Sequence, residues 1–96
     1  MTDLRKEARG KPCMIRLPGC DGSRQTTVGA HYRLAGYNGT GQKPPDIMMA
    51  WSCNKCHDLV DGRVRAPYDR GIIRLAHAEG VIRTVAELWK AGKIKV

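Results

Sequence analysis

Phenylalanine is absent from this sequence of 96 residues, and two tryptophans and three tyrosines are its only large aromatic side chains. A chain with so few rings lacks the stacking platform on which proteins hold the bases of single-stranded nucleic acids. No run of about 18 apolar residues is present, which excludes a membrane-spanning helix. The N-terminal segment is rich in charge and contains no apolar stretch typical of a secretion signal, so we expect a cytoplasmic protein.

Acidic residues are also scarce, because nine of them stand against 17 lysines and arginines, for a formal net charge of +8. The basic residues are spread along the chain rather than collected in one tail. Such a charge is typical of a protein with a polyanionic partner, most often nucleic acid. We expect contacts to the phosphate backbone of DNA more than reading of its bases. A basic surface that serves only solubility is the alternative, and the pattern gives no prediction for the oligomeric state.

The four cysteines occur as two pairs, Cys13 with Cys20 and Cys53 with Cys56. A chain of this length predicts one domain, residues 1–96, whose core is marginal without a crosslink. In a reducing compartment the Cys-x-x-Cys spacing of the second pair favours one structural zinc held by all four thiolates. Two disulfides are the alternative, which a secreted protein would favour. Covalent haem attachment also uses Cys-x-x-Cys-His, but it would leave the first pair unexplained.

Between the two cysteine pairs the sequence predicts two strands joined by a long loop. Residues 26–33 are rich in β-branched and aromatic residues and predict the first strand, with His31 on its polar face and Val28 and Ala30 on the other. Glycines and prolines make residues 35–46 a loop. Residues 47–52 predict a second strand that pairs back onto the first. Before them, residues 1–11 predict a short irregular or helical arm with a frayed, solvated end.

After the second cysteine pair the sequence predicts helices. The first begins at Asn54 as its cap and ends at Gly62, and the spacing of four places His57 and Asp61 on one face. Residues 68–89 have helical periodicity with an apolar stripe, and residues 84–87 form a capping box that favours two helices here over one. The stripe contains Ile72, Leu75, Ala76, Ile82, Val85, Ala86 and Trp89.

Two smaller features complete the C-terminal part. His77 has no cysteine or acidic residue at ligand spacing, so we expect a surface or packing residue rather than a metal ligand. Residues 94–96 are apolar enough to add a short edge strand.

The order of these features resembles the HNH, or His-Me finger, nucleases: Ala30-His31 on a strand, a glycine-rich loop, then Cys53-Asn54-Lys55-Cys56-His57 at the start of a helix. The whole chain is also similar to small prophage proteins of the YbcO family, which are named as nucleases. The resemblance implies an α+β fold with a zinc-stabilised ββα-metal core over residues 12–62 and a C-terminal helical extension over residues 63–96. It is carried by Asp3-Leu4-Arg5-Lys6, Ala30-His31-Tyr32-Arg33, Lys43-Pro44-Pro45-Asp46 and the segment 53–58.

The resemblance also implies roles for single residues. His31 would be the general base that activates water, and Asp46 would orient His31 or pin the loop. His57 would bind a second ion, Mg²⁺ or another divalent cation, beside the scissile phosphate. Many relatives have an aspartate ligand before the base, where this chain has Ala30. Asp61 is the expected replacement, and Asp58, about 100° round the helix from His57, is the weaker candidate.

We therefore expect a metal-dependent DNA endonuclease, with a non-catalytic zinc-stabilised nucleic-acid-binding module as the alternative. His31 separates the two hypotheses, because a binding module has no need of a general base. Four basic residues that flank the two strands and the helix are the predicted phosphate contacts: Arg33, Lys43, Arg63 and Arg65.

Overall fold

The computed structural model describes residues 3–20, 22–33 and 45–94. Its elements are, in chain order, α1 (Leu4–Glu7), β1 (Val28–His31), β2 (Met49–Ser52), α2 (Asn54–Asp61) and α3 (Arg70–Lys90). The fold is a small α+β arrangement in which a two-stranded sheet is packed against helices. None of the described helices combines the length and the hydropathy needed to cross a membrane. The predicted loop 35–46 lies outside the described residues except for its last two positions.

The two strands pair antiparallel, with Val28 opposite Ser52 and His31 opposite Met49. Both are shorter than the predicted ranges 26–33 and 47–52. At the start of β1 two threonines use their side chains instead of joining the ladder: Thr26 Oγ1 accepts from the backbone N–H of the α2 start, and Thr27 Oγ1 donates to the carbonyl of residue 11 at 2.7 Å. Side-chain bonds of this kind compete with sheet pairing.

The predicted alternation of β1 is only partly found. Ala30 is buried in the core, and His31 on the other face is partly exposed. Val28, however, is 45% exposed, and Thr27 is buried. Within β1 the expected apolar face therefore reaches the core only at Ala30, because only part of this strand is buried. Every residue of β2, in contrast, is buried.

Helix α3 lies across β2 and is one helix of 21 residues, so the predicted division into two helices is wrong. Thr84 is not a cap, because its hydroxyl is fully buried, donates to the Gly80 carbonyl and accepts from the Trp51 N–H at 3.0 Å. At Gly80 a Cβ would lie 3.1 Å from the side chains of Ala50 and Ile15. The tertiary contacts of Thr84 and Gly80 with β2 thus keep α3 continuous in spite of the local capping pattern.

The face of α3 that meets the core is not the predicted apolar stripe. The buried residues are Ile73, His77, Gly80, Thr84 and Leu88. The stripe instead points outward, with exposed fractions from 49 to 69% for its four large members. Those members are Ile72, Leu75, Ile82 and Trp89.

The chain ends agree with the sequence prediction only in part. The N-terminal arm contains a short helix, α1, as one form of the prediction had it, but its described residues 3–11 are not solvated throughout, because Ala8 is fully buried in a cluster with Trp51 and Leu88. At the other end, Ile94 lies in a bend beyond α3 and packs against the same cluster. Residues 95 and 96 of the predicted edge strand lie outside the described residues.

Candidate functional site

Four cysteine sulfurs from two distant parts of the chain converge on one point. Cys13 and Cys20 precede β1, Cys53 is the cap of α2 in place of the predicted Asn54, and Cys56 lies in the first turn. All four are free thiols whose Sγ atoms lie within 4.8 Å of one another. In a tetrahedral zinc site with bonds of about 2.3 Å, the sulfurs are about 3.8 Å apart. The cluster can therefore hold a metal such as zinc.

Local turns bring the first cysteine pair to this point. Gly19 has a positive φ of 92°, which only glycine adopts at little cost, and the Cys20 N–H closes the turn on the Leu17 carbonyl at 2.9 Å. The Met14 N–H donates to the Trp51 carbonyl at 2.7 Å and so fastens the start of the loop to β2. The loop is thereby held beside the strand that leads into the second pair.

The thiols of the cluster perturb one another. A hydrogen bond with Cys56 lowers the pKa of Cys13 to about 4, and the same contact raises the pKa of Cys56. Burial raises the pKa of Cys20 to about 11. The raised pKa values of Cys20 and Cys56 mean that a metal must displace protons from these thiols, so metal binding should weaken as the pH falls.

On β1, His31 forms a pair with Asp46, which precedes β2. Its Nε2 lies 2.9 Å from Asp46 Oδ1, and its side chain is 19% exposed. Because a carboxylate only accepts hydrogen bonds, Nε2 of the neutral ring carries the hydrogen and Nδ1 keeps the lone pair. Arg5 of α1 approaches the other carboxylate oxygen, with Nε 3.9 Å from Oδ2. The pair therefore presents an oriented imidazole with a free acceptor nitrogen.

On α2, His57 and Asp61 form the second histidine–carboxylate pair. His57 Nε2 and Asp61 Oδ2 are 3.5 Å apart, as the spacing of four predicts. Two adjacent ligands of an octahedral ion with bonds of about 2.1 Å are about 3.0 Å apart. The two atoms therefore fit one divalent cation with a small side-chain adjustment. Asp58 points elsewhere, toward Arg63, whose Nη1 lies 3.8 Å from its Oδ1.

A cleft of about 290 Å³, here called the His31 cleft, is lined by one member of each pair, His31 and Asp61. Three guanidinium groups line the same space, which gives the cleft a strongly basic character. Its lining residues are His31, Tyr32, Arg33, Val60, Asp61, Arg70, Ile73, Arg74 and His77.

Three of the four predicted phosphate contacts belong to the described residues, and they occupy different positions. Arg33 lines the His31 cleft. Arg63 lies at the end of α2, where its Nη2 is 3.6 Å from Asp61 Oδ2. Arg65 lines a separate groove beside Pro18 and Tyr68. Lys43 lies outside the described residues.

Sequence reasoning missed two basic residues of the cleft, Arg70 and Arg74. Arg70 donates to the Leu59 and Val60 carbonyls at the C-terminus of α2, where a cation also complements the helix dipole. Arg74 donates to the Tyr32 hydroxyl at 2.9 Å and stacks on its ring. Their spacing of four places both on one face of α3, but assigning that face to the cleft requires knowing which stripe meets the core.

His77 is a packing residue, as predicted, although its ring also reaches the cleft wall. Its Nε2–H donates to the Ala30 carbonyl at 2.9 Å, and its ring meets Tyr32 edge-on. Burial lowers the pKa of His77, and the bond to the carbonyl opposes this only in part. Ala30 itself turns its methyl group into the core, so no ligand extends from that position.

Comparison with known proteins adds independent findings. The family model described as "Putative nuclease YbcO" matches residues 2–93. Two curated proteins with that name, from Escherichia coli strain K12 and from Enterobacteria phage 82, are each 46% identical over 96 residues, covering 99% of both chains. A solved structure titled as that of a putative bacteriophage protein from Escherichia coli K-12 superposes with a TM-score of 0.79 at 38% identity, covering 94% of this chain and 100% of the other.

Proposed function

The chain belongs to the family described as "Putative nuclease YbcO", and from this premise we propose that it is a metal-dependent DNA endonuclease that hydrolyses phosphodiester bonds. The observation that carries the proposal is one basic cleft lined by a member of each histidine–carboxylate pair, His31 and Asp61. The order β1, β2, α2 beside a cysteine cluster supports assigning residues 12–62 to a ββα-metal core of the HNH type. Helix α3 completes the cleft with Arg70 and Arg74.

The proposed base is Nδ1 of His31. Asp46 accepts the Nε2–H and so fixes both the tautomer and the direction of the ring, as the carboxylate of a hydrolase triad does. Once Nδ1 has taken a proton from water, the adjacent carboxylate stabilises the imidazolium. A histidine suits this task because its ordinary pKa lies near neutral pH, where it is free to accept a proton.

His57 and Asp61 are the proposed ligands of the catalytic cation, and the 3.5 Å between their ligand atoms fits that role. Mg²⁺ or a similar divalent ion, when bound there, would stabilise negative charge on the phosphate and the leaving oxygen. Arg63 contacts the same Asp61 oxygen and therefore competes with a cation for this carboxylate. Binding of the ion requires that Arg63 move aside.

The guanidinium groups of Arg33, Arg70 and Arg74 are the proposed contacts for the DNA backbone at the cleft. Arginine suits a phosphate because its planar fork donates two parallel hydrogen bonds. The overall charge of +8 adds a long-range attraction that does not depend on the base sequence. Affinity for duplex DNA should therefore fall steeply with salt and vary little from one sequence to another.

A zinc-stabilised module that binds nucleic acid without chemistry is the second candidate, and the contact of Arg63 with Asp61 favours it. Such a module would explain the cysteine cluster and the basic cleft. It gives no reason for the oriented His31 beside Asp46 in a partly exposed position. A single substitution therefore separates the two functions.

The deciding experiment measures nicking of plasmid and branched DNA by His31→Ala in the presence of Mg²⁺, Mn²⁺ or Ni²⁺. Loss of a general base lowers the rate by about 10²–10⁴-fold, whereas the fold, the zinc content and DNA binding should be unchanged because His31 belongs neither to the cysteine cluster nor to the guanidinium groups proposed to contact phosphate. Val28→Ala, on the same strand with a 45% exposed side chain, is the matched control and should cleave normally. Wild-type protein that binds DNA but never cleaves it would establish the binding module instead.

His57→Ala tests the ion separately from the base. This variant should also lose cleavage, but an excess of Mn²⁺ or Mg²⁺ should restore part of the rate, because the remaining carboxylate of Asp61 still binds a cation weakly. His31→Ala should show no such recovery, since added metal does not replace a proton acceptor. Equal recovery of both variants would show that the two histidines share one role and would overturn the assignment.

A further inference from the structure

Helix α3 is apolar on two opposite sides, and only one of them is covered. His77 and Thr84 face the core, whereas the outward side carries Ile82 at 69% and Trp89 at 55% exposure. Single exposed apolar residues are normal, but several large ones along one side of a helix mark an association surface. The described part of the chain leaves this row of large side chains uncovered.

The row has the spacing of a coiled-coil seam. Leu75, Ile82 and Trp89 stand seven residues apart, and so do Ile72, Glu79 and Ala86, three residues before each of them. All six positions are exposed. Together they form two interleaved heptad positions, a and d, over the length of about 27 Å that the helical residues 72–89 span. We call these six residues the outer seam.

We propose that the chain forms a homodimer in which the outer seams of two α3 helices pack against each other antiparallel. Paired in this way, Ile72 faces Trp89 of the partner subunit, and Ala86 faces Leu75 of the partner subunit. Each of these pairs occurs twice, because a two-fold axis relates the chains. A large side chain then meets a smaller one at every level, which is the interdigitation that helix packing requires.

The polar member of the seam sets the direction of the helices. In the antiparallel register Glu79 faces Ile82 of the partner subunit, so the two carboxylates are not directly opposed. In a parallel dimer Glu79 would face its own copy in the seam, which like charges disfavour. One polar residue in an otherwise apolar seam commonly specifies register at a cost in stability.

Charge argues for a second copy rather than for nucleic acid at this surface. The protein carries 17 lysines and arginines, yet none of them is among the six seam residues, whose one charge is negative. In the antiparallel register the seam also complements a second copy of itself in length and in the order of large and smaller residues. A partner of different sequence would need the same pattern by coincidence. A seam of three heptads is small for a stable interface, so we expect a dissociation constant in the micromolar range.

Two substitutions at one position test the proposal: Ile82→Glu and Ile82→Lys. In the antiparallel dimer the introduced charge faces Glu79 of the partner subunit, so the acidic variant should weaken dimerisation by about tenfold or more, whereas the basic variant should keep most of it. Sedimentation velocity of the zinc-loaded, reduced protein from about 1 to 500 µM covers the expected range. Val64→Glu, at a 50% exposed site outside α3, is the control and should dimerise as the wild type does.

Fluorescence gives a second readout, because Trp89 is exposed in the monomer whereas Trp51 is buried in either state. Dimerisation should shift the emission to shorter wavelength as the concentration rises, and Trp89→Leu should abolish the shift. A wild-type protein that stays monomeric at the highest concentration would overturn the proposal. Equal weakening by Ile82→Glu and Ile82→Lys would overturn the antiparallel register, and no weakening by Ile82→Glu would exclude the seam from the interface.

Discussion

The cysteine cluster and the His31 cleft both contain residues of helix α2, but the cluster buries its thiols whereas the cleft leaves its polar side chains partly exposed. Cys53 and Cys56 are fully buried, whereas the side chains of His57 and Asp61 are 25% and 40% exposed. Cys56 and His57 are consecutive but belong to different regions, because adjacent helical residues point about 100° apart. One helix thus buries two thiols on its inner face and presents an imidazole and a carboxylate on its outer face.

This difference in burial predicts which substitutions the fold should tolerate. In a chain of only 96 residues, a buried sulfur would have no solvent to replace a lost metal bond, so damage there should spread to the whole fold. A partly exposed side chain in the cleft is hydrated when its partner is removed, and its loss remains local. Equal losses of stability from substitutions in the cysteine cluster and in the His31 cleft would contradict this prediction.

The largest effect is expected for Cys53→Ser. Cys53 is both a predicted zinc ligand and the cap of α2, where its Sγ accepts from the Cys56 N–H at 3.5 Å. Because zinc binding free energy in such sites is largely folding free energy, this variant should lose the metal and its cooperative unfolding transition. Zinc per chain by mass spectrometry and thermal unfolding by circular dichroism measure both.

Chelation of the wild-type protein should have the same result, and zinc should restore it. Lys55→Ser, an exposed substitution in the same turn, is the control and should bind one zinc and unfold as the wild type does. A folded, zinc-free Cys53→Ser protein would show that the hydrophobic core suffices without the metal.

A smaller effect, confined to the rate, is expected for Asp46→Asn. An amide in place of the carboxylate can donate to Nε2 of His31, which would move the ring hydrogen to Nδ1 and remove the free lone pair. We expect a loss in cleavage rate of about 10²–10⁴-fold with an unchanged melting temperature.

Asp46→Glu distinguishes positioning from packing, because it keeps the carboxylate and should recover part of the rate. Arg5→Ala is the matched control, since it removes the guanidinium near the other carboxylate oxygen and leaves the bond to His31. If Asp46→Asn cleaves as fast as the wild type, Asp46 serves only the local structure.

The sequence predicted best what depends on spacing within one element. The approach of His57 to Asp61 follows from helix geometry, and Gly62 ends α2 in the left-handed conformation that favours glycine. The four cysteines also converge as two pairs at close spacing predict. The pairing of His31 with Asp46, in contrast, was expected only from the resemblance, because periodicity says nothing about residues 15 positions apart across a loop.

What the sequence did not predict depends on tertiary contacts. Thr84 lies in a capping pattern, but its hydroxyl bonds to the Trp51 N–H, which keeps α3 continuous. Both sides of α3 are apolar, so hydropathy alone could not tell which side meets β2. The cleft residues Arg70 and Arg74 were missed for the same reason, since their position follows from the side on which Ile73 is buried.

The smallest effect is expected from His77, which borders the His31 cleft but belongs energetically to the core. Burial lowers the pKa of His77 below its ordinary value of 6.5, so the unfolded chain binds a proton more readily than the folded one does. The free energy of unfolding should therefore be unaffected above about pH 6.5 and should fall as the pH drops from there toward the lower folded pKa, by at most about 1.4 kcal/mol per pH unit. His77→Gln can still donate to the Ala30 carbonyl but does not titrate, so its stability should decline less over this range.

Urea unfolding of both proteins at several pH values, with saturating zinc, isolates the contribution of His77, because the cysteines, His31 and His57 are common to both. Equal slopes would mean that His77 is protonated in the folded protein as easily as in the unfolded chain.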